Sequence, residues 1–480
     1  MEIKVIRMSS SFSRYNRQEL IRGWDQRRIE KSSVALIGSD LLAGCTSLLL
    51  TSLGVGTLEI YDNDLVNIYG KNLFFEADEN EPKVEAMERT LKKINPYADI
   101  SGVNCLPDRH FLAGIIGHPD VIMELTNNTE SKKVCLSYGK KLGIPVITGS
   151  ADDVSGRFYF TRGYDDRSLL LEDYAGKKQG VMPSEILSGV VVENFRKHMA
   201  PLSKDEQTIK SMSYNLNSRA RFTEAKAGNR ANDSDPNVFS KKHATMIGAG
   251  ALGNFIGIGL ALMGVGRLDI IDGDHIEETN LNRQPLFYNS VGQMKAAVLA
   301  KRLNKINTDM DARSMARFLD ENFEPYFKAN KPDIIIDSVD NLSARAIINH
   351  YAVEHKIPLV SGGTGPSSGQ VMSYIPGKSA CLDCRMNVDK EMVEERTVHS
   401  CIRDPMPSVV MSNEIVGGII LGEMATTLSP EIYGENVSGI IKYDSSRSNW
   451  AGVIGSVEKC DCKRGDVKDW MKEVMEKYKT

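Results

Sequence analysis

Several features are scarce in this 480-residue sequence, and each scarcity narrows the field. Eight cysteines are too few for a disulfide scaffold at this length. No block of basic residues stands out, and a net charge of −4 gives no electrostatic argument for nucleic acid. The N-terminal stretch has no apolar signal-peptide core, so a cytoplasmic location is expected. One run, Met246 to Val265, goes 20 residues without a charge, long enough to cross a bilayer. Six of those residues are glycine, which marks a buried segment around a turn rather than a membrane span. The apolar fraction of 41% and charged fraction of 25% are those of a soluble globular protein. At roughly 150 residues per domain, the length predicts two or three domains.

What is present concentrates at residues 245–295. An apolar strand runs into Gly248-x-Gly250-x-x-Gly253 and then a helical run. Glycines in that arrangement let backbone N–H groups and a helix N-terminus approach an anion. Asp272 closes the next apolar strand, 24 residues after Gly248, where a carboxylate can hold ribose hydroxyls. Asp274 follows it as a further candidate ATP-binding residue, whose structural alternative is a cap on the strand end. Asn280, Arg283, Gln284 and Lys295 come next; a nicotinamide enzyme has no evident use for them there, but a nucleoside triphosphate does. Asp337-Ser-Val-Asp340-Asn341 then follows the apolar strand at Asp333–Ile336. Taken in order, these motifs resemble the ATP site of the ubiquitin-activating superfamily, which includes the ThiF/MoeB/HesA adenylyltransferases. The family's pattern is a glycine loop, D-x-D, N-L-x-R-Q, a lysine and D-x-x-D-N.

The first half repeats the second. Leu53-Gly-Val-Gly56 precedes Met263-Gly-Val-Gly266 by 210 residues, as Asp62-Asn-Asp64 precedes Asp272-Gly-Asp274. Asn128 precedes Asn341, and Ser155-Gly156 precedes Ser368-Gly369, by 213. Two equivalent units of alternating strands and helices are therefore expected, each an α/β, Rossmann-like domain with a mostly parallel sheet. The family pairs two such units, so this chain is expected to form its own pseudo-dimer. We assign 1–165 to the first ThiF-like unit, 166–236 to a connector, and 237–480 to the second. In the connector, residues 165–171 are expected to continue a hairpin, and Ser184 is a candidate helix cap.

The copies differ chemically. Between Gly38 and Gly44 the first has one residue too many for the glycine pattern, and Asp40 stands where phosphate would lie. At the 210 offset, Asn280 and Arg283 correspond to Gly70 and Leu73; at 213, Asp340 corresponds to Asn127, an amide without charge. Lys83 survives opposite Lys295. The first copy is thus expected to bind no catalytic ATP. It has Arg14-Tyr15-Asn16-Arg17-Gln18, which matches the family's R-Y-x-R-Q motif, whose second arginine reaches into the neighbouring unit's site.

The resemblance implies ATP with Mg²⁺. Asp272 would hold the ribose, and Gly248, Gly250, Gly253, Asn280, Arg283 and Lys295 would serve the phosphates. Gln284 would order the loop, Asp340 would bind Mg²⁺, and Arg17 would come from the other half. Cys381-Leu-Asp-Cys384 and Cys460-Asp-Cys462 are two close thiolate pairs, which read as a structural zinc site. The family's second pair usually has two intervening residues, and here there is one. Cys401, flanked by His399 and Arg403 before the apolar run Val409–Leu428, is the candidate thioester nucleophile.

These readings point to adenylation of the C-terminal carboxylate of a small ubiquitin-like or sulfur-carrier protein ending in Gly-Gly. Capture of the acyl group on Cys401 and a downstream acceptor protein would follow. The rivals are adenylation alone for sulfur transfer, modification of a ribosomal peptide, and a nucleotide-dead scaffold. No nucleic-acid or membrane partner is expected, and a monomer or a homodimer fits the pairing equally.

Overall fold

A computed structural model describes residues 13–67, 73–106, 117–162, 174–223, 237–398, 406–437, 439–447, 450–455 and 459–478. It contains two eight-stranded sheets of the same topology. The first comprises β1 (Ser33–Ile37), β2 (Thr57–Asp62), β3 (Asp99–Asn104), β4 (Val121–Glu124) and β5 (Val146–Ala151), with β6 (Ser155–Thr161), β7 (Ser211–Asn215) and β8 (Phe222–Thr223). The second comprises β9 (His243–Ile247), β10 (Arg267–Ile271), β11 (Asp311–Met315), β12 (Ile334–Asp337) and β13 (Leu359–Thr364), with β14 (Ser368–Tyr374), β15 (Ile440–Asp444) and β16 (Ala451–Ile454). Strand order is 3-2-1-4-5-6-7-8 and 11-10-9-12-13-14-15-16. The first five strands of each sheet run parallel, and the last three add on antiparallel. The expected pair of Rossmann-like units is present.

The repeat extends into buried chemistry. In the first unit, Lys132 pairs with Glu124 and donates to the carbonyls of Thr126 and Gly149. In the second, Arg345 pairs with Asp337 at 3.0 Å and donates to the carbonyls of Val339 and Gly362. Each pair ties the end of a central strand to the helix that follows. Asn128 and Asn341 cap those two helices, accepting from Ser131 and Ala344.

Two expectations about the first unit need correction. The helices after the glycine loops span Leu41–Leu53 and Ala251–Met263, so the loops are equally long and the first carries no insertion. Asp40 takes the place of Gly250, and Ala43 that of Gly253; Gly44 lies inside the helix. Further on, the helix expected to be capped by Ser184 begins at Val181, with Gly180 at the cap. Ser184 sits within its first turn. The expected hairpin continuation at 165–171 lies outside the described residues. Helix Val181–Met199 and strands β7 and β8 pack as parts of the first unit, completing its sheet.

The halves meet along helices Val181–Met199 and Val410–Leu428, both almost entirely buried. A Cβ on Gly189 would lie 2.5 Å from Ile415 Cγ1, and one on Gly418 2.7 Å from Ile186 Cγ1. Glycine in each helix thus admits the other's isoleucine. One hydrophobic cluster runs unbroken from the first half, through Leu48 and Val190, into the second, through Ile256 and Leu421. Charged links reinforce the seam: Arg221 meets Glu423 at 2.8 Å, and Tyr288 and Arg302 both donate to Glu76.

Within this seam lie Glu185 and Glu414, each no more than 2% exposed. Burial pushes Glu414 up to about 8 and Glu185 well above the ordinary carboxylate range, and the charge of Glu414 raises Glu185 further. A carboxyl whose folded pKa is raised binds its proton in the folded state over a range where the unfolded chain has released it. The stability that depends on Glu414 is therefore full below about pH 4.5 and is lost as pH rises to about 8. Glu414→Gln should unfold at a higher temperature than the parent at pH 8, with the gap closing towards pH 5. Melting curves across that window check this; parallel curves would contradict it.

Candidate nucleotide and metal sites

In a doubly wound sheet, ligands gather beyond the carboxyl ends of the strands. In the second unit the candidate residues meet there. Gly248 follows β9 with φ of 100°, a backbone region that side chains avoid. A Cβ on it would meet Ser338 Oγ at 2.8 Å, and one on Gly253 would lie 2.3 Å from Gly248 O. Those two glycines are required by packing. Around Gly250 a Cβ would meet nothing within 4 Å. Open space thus lies beside the N-terminus of Ala251–Met263, where an anion is favoured.

Asp272 lies just beyond β10. Its carboxylate accepts from Ala249 N at 2.6 Å and Asp274 N at 2.8 Å, and burial raises its pKa. Lys295 opens helix Lys295–Ile306, and its Nζ meets Asp274 Oδ2 at 2.9 Å. Asp274 thus holds the phosphate-binding candidate lysine. Asn280 accepts from Glu277 N at 3.0 Å in a reciprocal cap, which folds the 3₁₀ turn Glu278–Asn280 that leads to Arg283. Gln284 is 3% exposed, and its Oε1 has no hydrogen-bond partner among the described residues. A buried, orphaned acceptor in the cradle fits a site that a ligand or its hydration shell completes.

Arg283 is buried, and its Nη1 donates to Thr279 O at 2.6 Å. Its pKa is lowered to about 10, first by burial, then by the charge of Arg17, while Glu277 and Asp340 pull it upward. Arg17, from the first half, and Asp340 thus both act on the charge of Arg283 in the second. Arg17 sits in the short helix Asn16–Glu19, donates to Met406 O at 3.4 Å, and accepts from Ser408 N through its own carbonyl at 3.2 Å. The first half's N-terminal turn is thus lodged in the second half.

One residue beside the site escaped the sequence reading. Phe318 is 65% exposed, and a Cβ on Gly273 would lie 2.7 Å from Phe318 Cδ2. The ring lies flush against the backbone between Asp272 and Asp274. The available signal was the glycine itself: the first copy has Asn63 at that position.

The equivalent cradle in the first unit carries an extra carboxylate, Asp40, at the position of Gly250. Lys83 Nζ meets Asp40 Oδ1 at 2.9 Å and Asp64 Oδ2 at 3.0 Å, so the lysine is already neutralised. Buried Leu73 and Phe74 replace Arg283 and Gln284 along a cavity of about 200 Å³. Asn127 donates to Ala151 O and Lys177 O, at 2.7 and 2.8 Å. It serves as a loop tie.

Far from this cradle, Cys381, Cys384, Cys460 and Cys462 bring their sulfurs within 4.8 Å of one another. A tetrahedral zinc thiolate site, with Zn–S of about 2.3 Å, sets sulfurs about 3.8 Å apart. Cys384 and Cys462 are 3.3 Å apart and Cys381 and Cys462 4.0 Å, so the set fits a metal. Cys381 N also donates to Cys460 Sγ at 3.2 Å, and Arg464 Nη2 approaches Cys381 Sγ at 3.9 Å. Both offset thiolate charge. Cys401, His399 and Arg403 lie outside the described residues. Among those that are described, no helix is long and apolar enough to cross a membrane.

The sequence model of the ThiF family matches residues 13–194 and 229–464. The sulfur carrier protein ThiS adenylyltransferase of Bacillus subtilis is 36% identical over 148 residues, 30% of this chain and 44% of that protein. The molybdopterin-synthase adenylyltransferase of Haemophilus influenzae is 32% identical over 150 residues, 30% of this chain and 62% of that protein. A ubiquitin-activating enzyme E1-like protein of Saccharomyces cerevisiae is 28% identical over 172 residues, 36% of this chain and 27% of that protein. The matches thus span less than two thirds of each relative.

Metal analysis of the purified chain should give one equivalent of zinc. Cys384→Ser with Cys462→Ser should lose the metal and lower the melting temperature, because helix Val467–Lys477 packs next to the cluster. Less than half an equivalent in the parent would remove the assignment.

Proposed function

The chain belongs to the ThiF family, and from that premise we propose that it adenylates the C-terminal carboxylate of a small ubiquitin-like or sulfur-carrier protein at one composite site. The observation that carries this reading is that the first half's Arg17 turn is lodged in the second half, with Arg17 bonded to Met406 and Ser408 and its neighbour Gln18 bonded to Asn282, next to Arg283. A carboxylate oxygen attacks the α-phosphorus of ATP, the bond to the β-phosphate bridge breaks, and pyrophosphate leaves. Negative charge gathers on phosphate oxygens during this step, so fixed cations and a helix N-terminus supply most of what the protein can give. Asp272 holds the ribose, Lys295 and Arg283 hold phosphates, and Asp340 would hold Mg²⁺, which when bound would supply charge neutralisation at the phosphates. Lys295 then exchanges Asp274 for phosphate. Phe318 stacks the base. The zinc cluster, with four thiolates and no open position, is structural.

After adenylation, the Cys401 thiolate attacks the acyl carbon and AMP leaves, giving a thioester. Adenylation alone, ending in a thiocarboxylate or a modified peptide, is the second reading. It is favoured by the names of the Bacillus and Haemophilus relatives. A cytoplasmic setting fits both.

Asp340→Ala should abolish ATP–pyrophosphate exchange, at least 100-fold down, while Asn127→Ala leaves it within about twofold. The reverse pattern would overturn the division of labour. Incubation with Mg-ATP and small proteins ending in Gly-Gly, followed by non-reducing intact mass, should reveal a thiol-labile adduct that Cys401→Ala removes. An adduct surviving that substitution would favour adenylation alone.

A further inference from the structure

Arg283 is held from across the seam. Its Nη1 donates to Asn282 Oδ1 at 2.8 Å, and Asn282 Nδ2 donates to Gln18 Oε1, in the first half, at 3.0 Å. Gln18 in turn donates from Nε2 to Gln26 Oε1 at 2.6 Å and to Leu53 O at 3.0 Å. Gln26 donates to the same Leu53 carbonyl, and Trp24 donates to Gln26. Gln18 and Asn282 are fully buried. Because both donors of Gln18 are spent inside the first half, its oxygen can only face the seam, which fixes the orientation of Asn282 and turns that residue's oxygen towards the arginine. The line of amides ends at Leu53, the last residue of the first half's own glycine-loop helix.

Given the ATP reading on which it rests, we propose that Gln18 and Asn282 are positioning residues that aim the Arg283 guanidinium at the triphosphate, so that the first half sets the phosphate-binding geometry of the second. Arg283 is buried and feels the like charge of Arg17 across the seam, so its direction depends on what holds it. Without a buried acceptor on each side, a guanidinium in that setting turns away from its neighbour and out of the cradle. The N-terminal turn therefore delivers two functions from adjacent residues: Arg17 brings charge, and Gln18 brings direction. A chain of amides suits the task, since each member donates and accepts and none adds charge to a cradle that already concentrates cations. Asn282 occupies the variable position of N-L-x-R-Q, and its role is visible only once the other half is in place.

The test uses the full chain and three readouts: ATP affinity, adenosine affinity and ATP–pyrophosphate exchange. Gln18→Leu and Asn282→Leu should each weaken ATP about tenfold, as expected for loss of one buried hydrogen bond at a charged group, with adenosine affinity unchanged. The double variant should be no worse than either single one, because the links act in series. Gln18→Ala, which adds nothing to the seam, stands in if leucine prevents folding, with melting temperature recorded throughout. ATP affinity unchanged in the variants, or equal losses for ATP and adenosine, would overturn the relay and leave the proposed reaction standing. A parent chain that neither binds ATP nor exchanges pyrophosphate would instead overturn the adenylation reading itself.

Discussion

Two guanidiniums of like charge, one from each half of the chain, act on one another across the seam, Arg17 upon the buried Arg283. That confrontation is unfavourable by itself: Arg17 and burial together depress the proton affinity of Arg283. It persists because the surrounding structure over-determines it. The turn Asn16–Glu19 is fastened through Ser408 and Met406, and a hydrophobic seam holds the halves in register. An anion with several charges is the natural relief for such an arrangement, and the open space beside Gly250 is where it would sit. Site and seam are therefore one design: loosen the second and the first loses its charge pattern.

The two copies show what a few substitutions do to an inherited frame. Both keep the strand order, the buried ion pair behind the fourth strand, the asparagine cap and the lysine that opens a helix. What changed in the first is confined to the cradle. An aspartate on the glycine loop captures the lysine, and leucine and phenylalanine fill the arginine and glutamine positions. Freed from holding phosphate, the first copy supplies a helical turn to its sibling. Stability and chemistry were thus separable, since the ion pair ties strand to helix whether or not a nucleotide binds.

Much of this was legible in the sequence because glycine spacing and paired carboxylates have few other uses. Asp272, Lys295 and the four cysteines lie where the motifs suggested. The offsets of 210 and 213 between the halves carried over to a shared topology. Other features could not be read. The apparent extra residue between Gly38 and Gly44 was an artefact of counting glycines, since helix register is set by the strand before it and the packing behind it. Helices Val181–Met199 and Val410–Leu428 share V-M-x-x-E-I-x-x-G at an offset of 229, so Glu185 and Glu414 are equivalent positions, but that the two helices cross with both carboxyls buried between them emerges only from tertiary contact. Gln18 and Asn282 are 264 residues apart, and nothing local announces a bond between them. Phe318 looks like an ordinary loop aromatic until Gly273 is seen beneath it.

The account stands most directly on the number of nucleotides a chain holds. Equilibrium binding of Mg-ATP to the full-length protein should give one molecule per chain, lost in Lys295→Ala and retained in Lys83→Ala. Two molecules per chain, or a single one that disappears with Lys83 rather than Lys295, would contradict it.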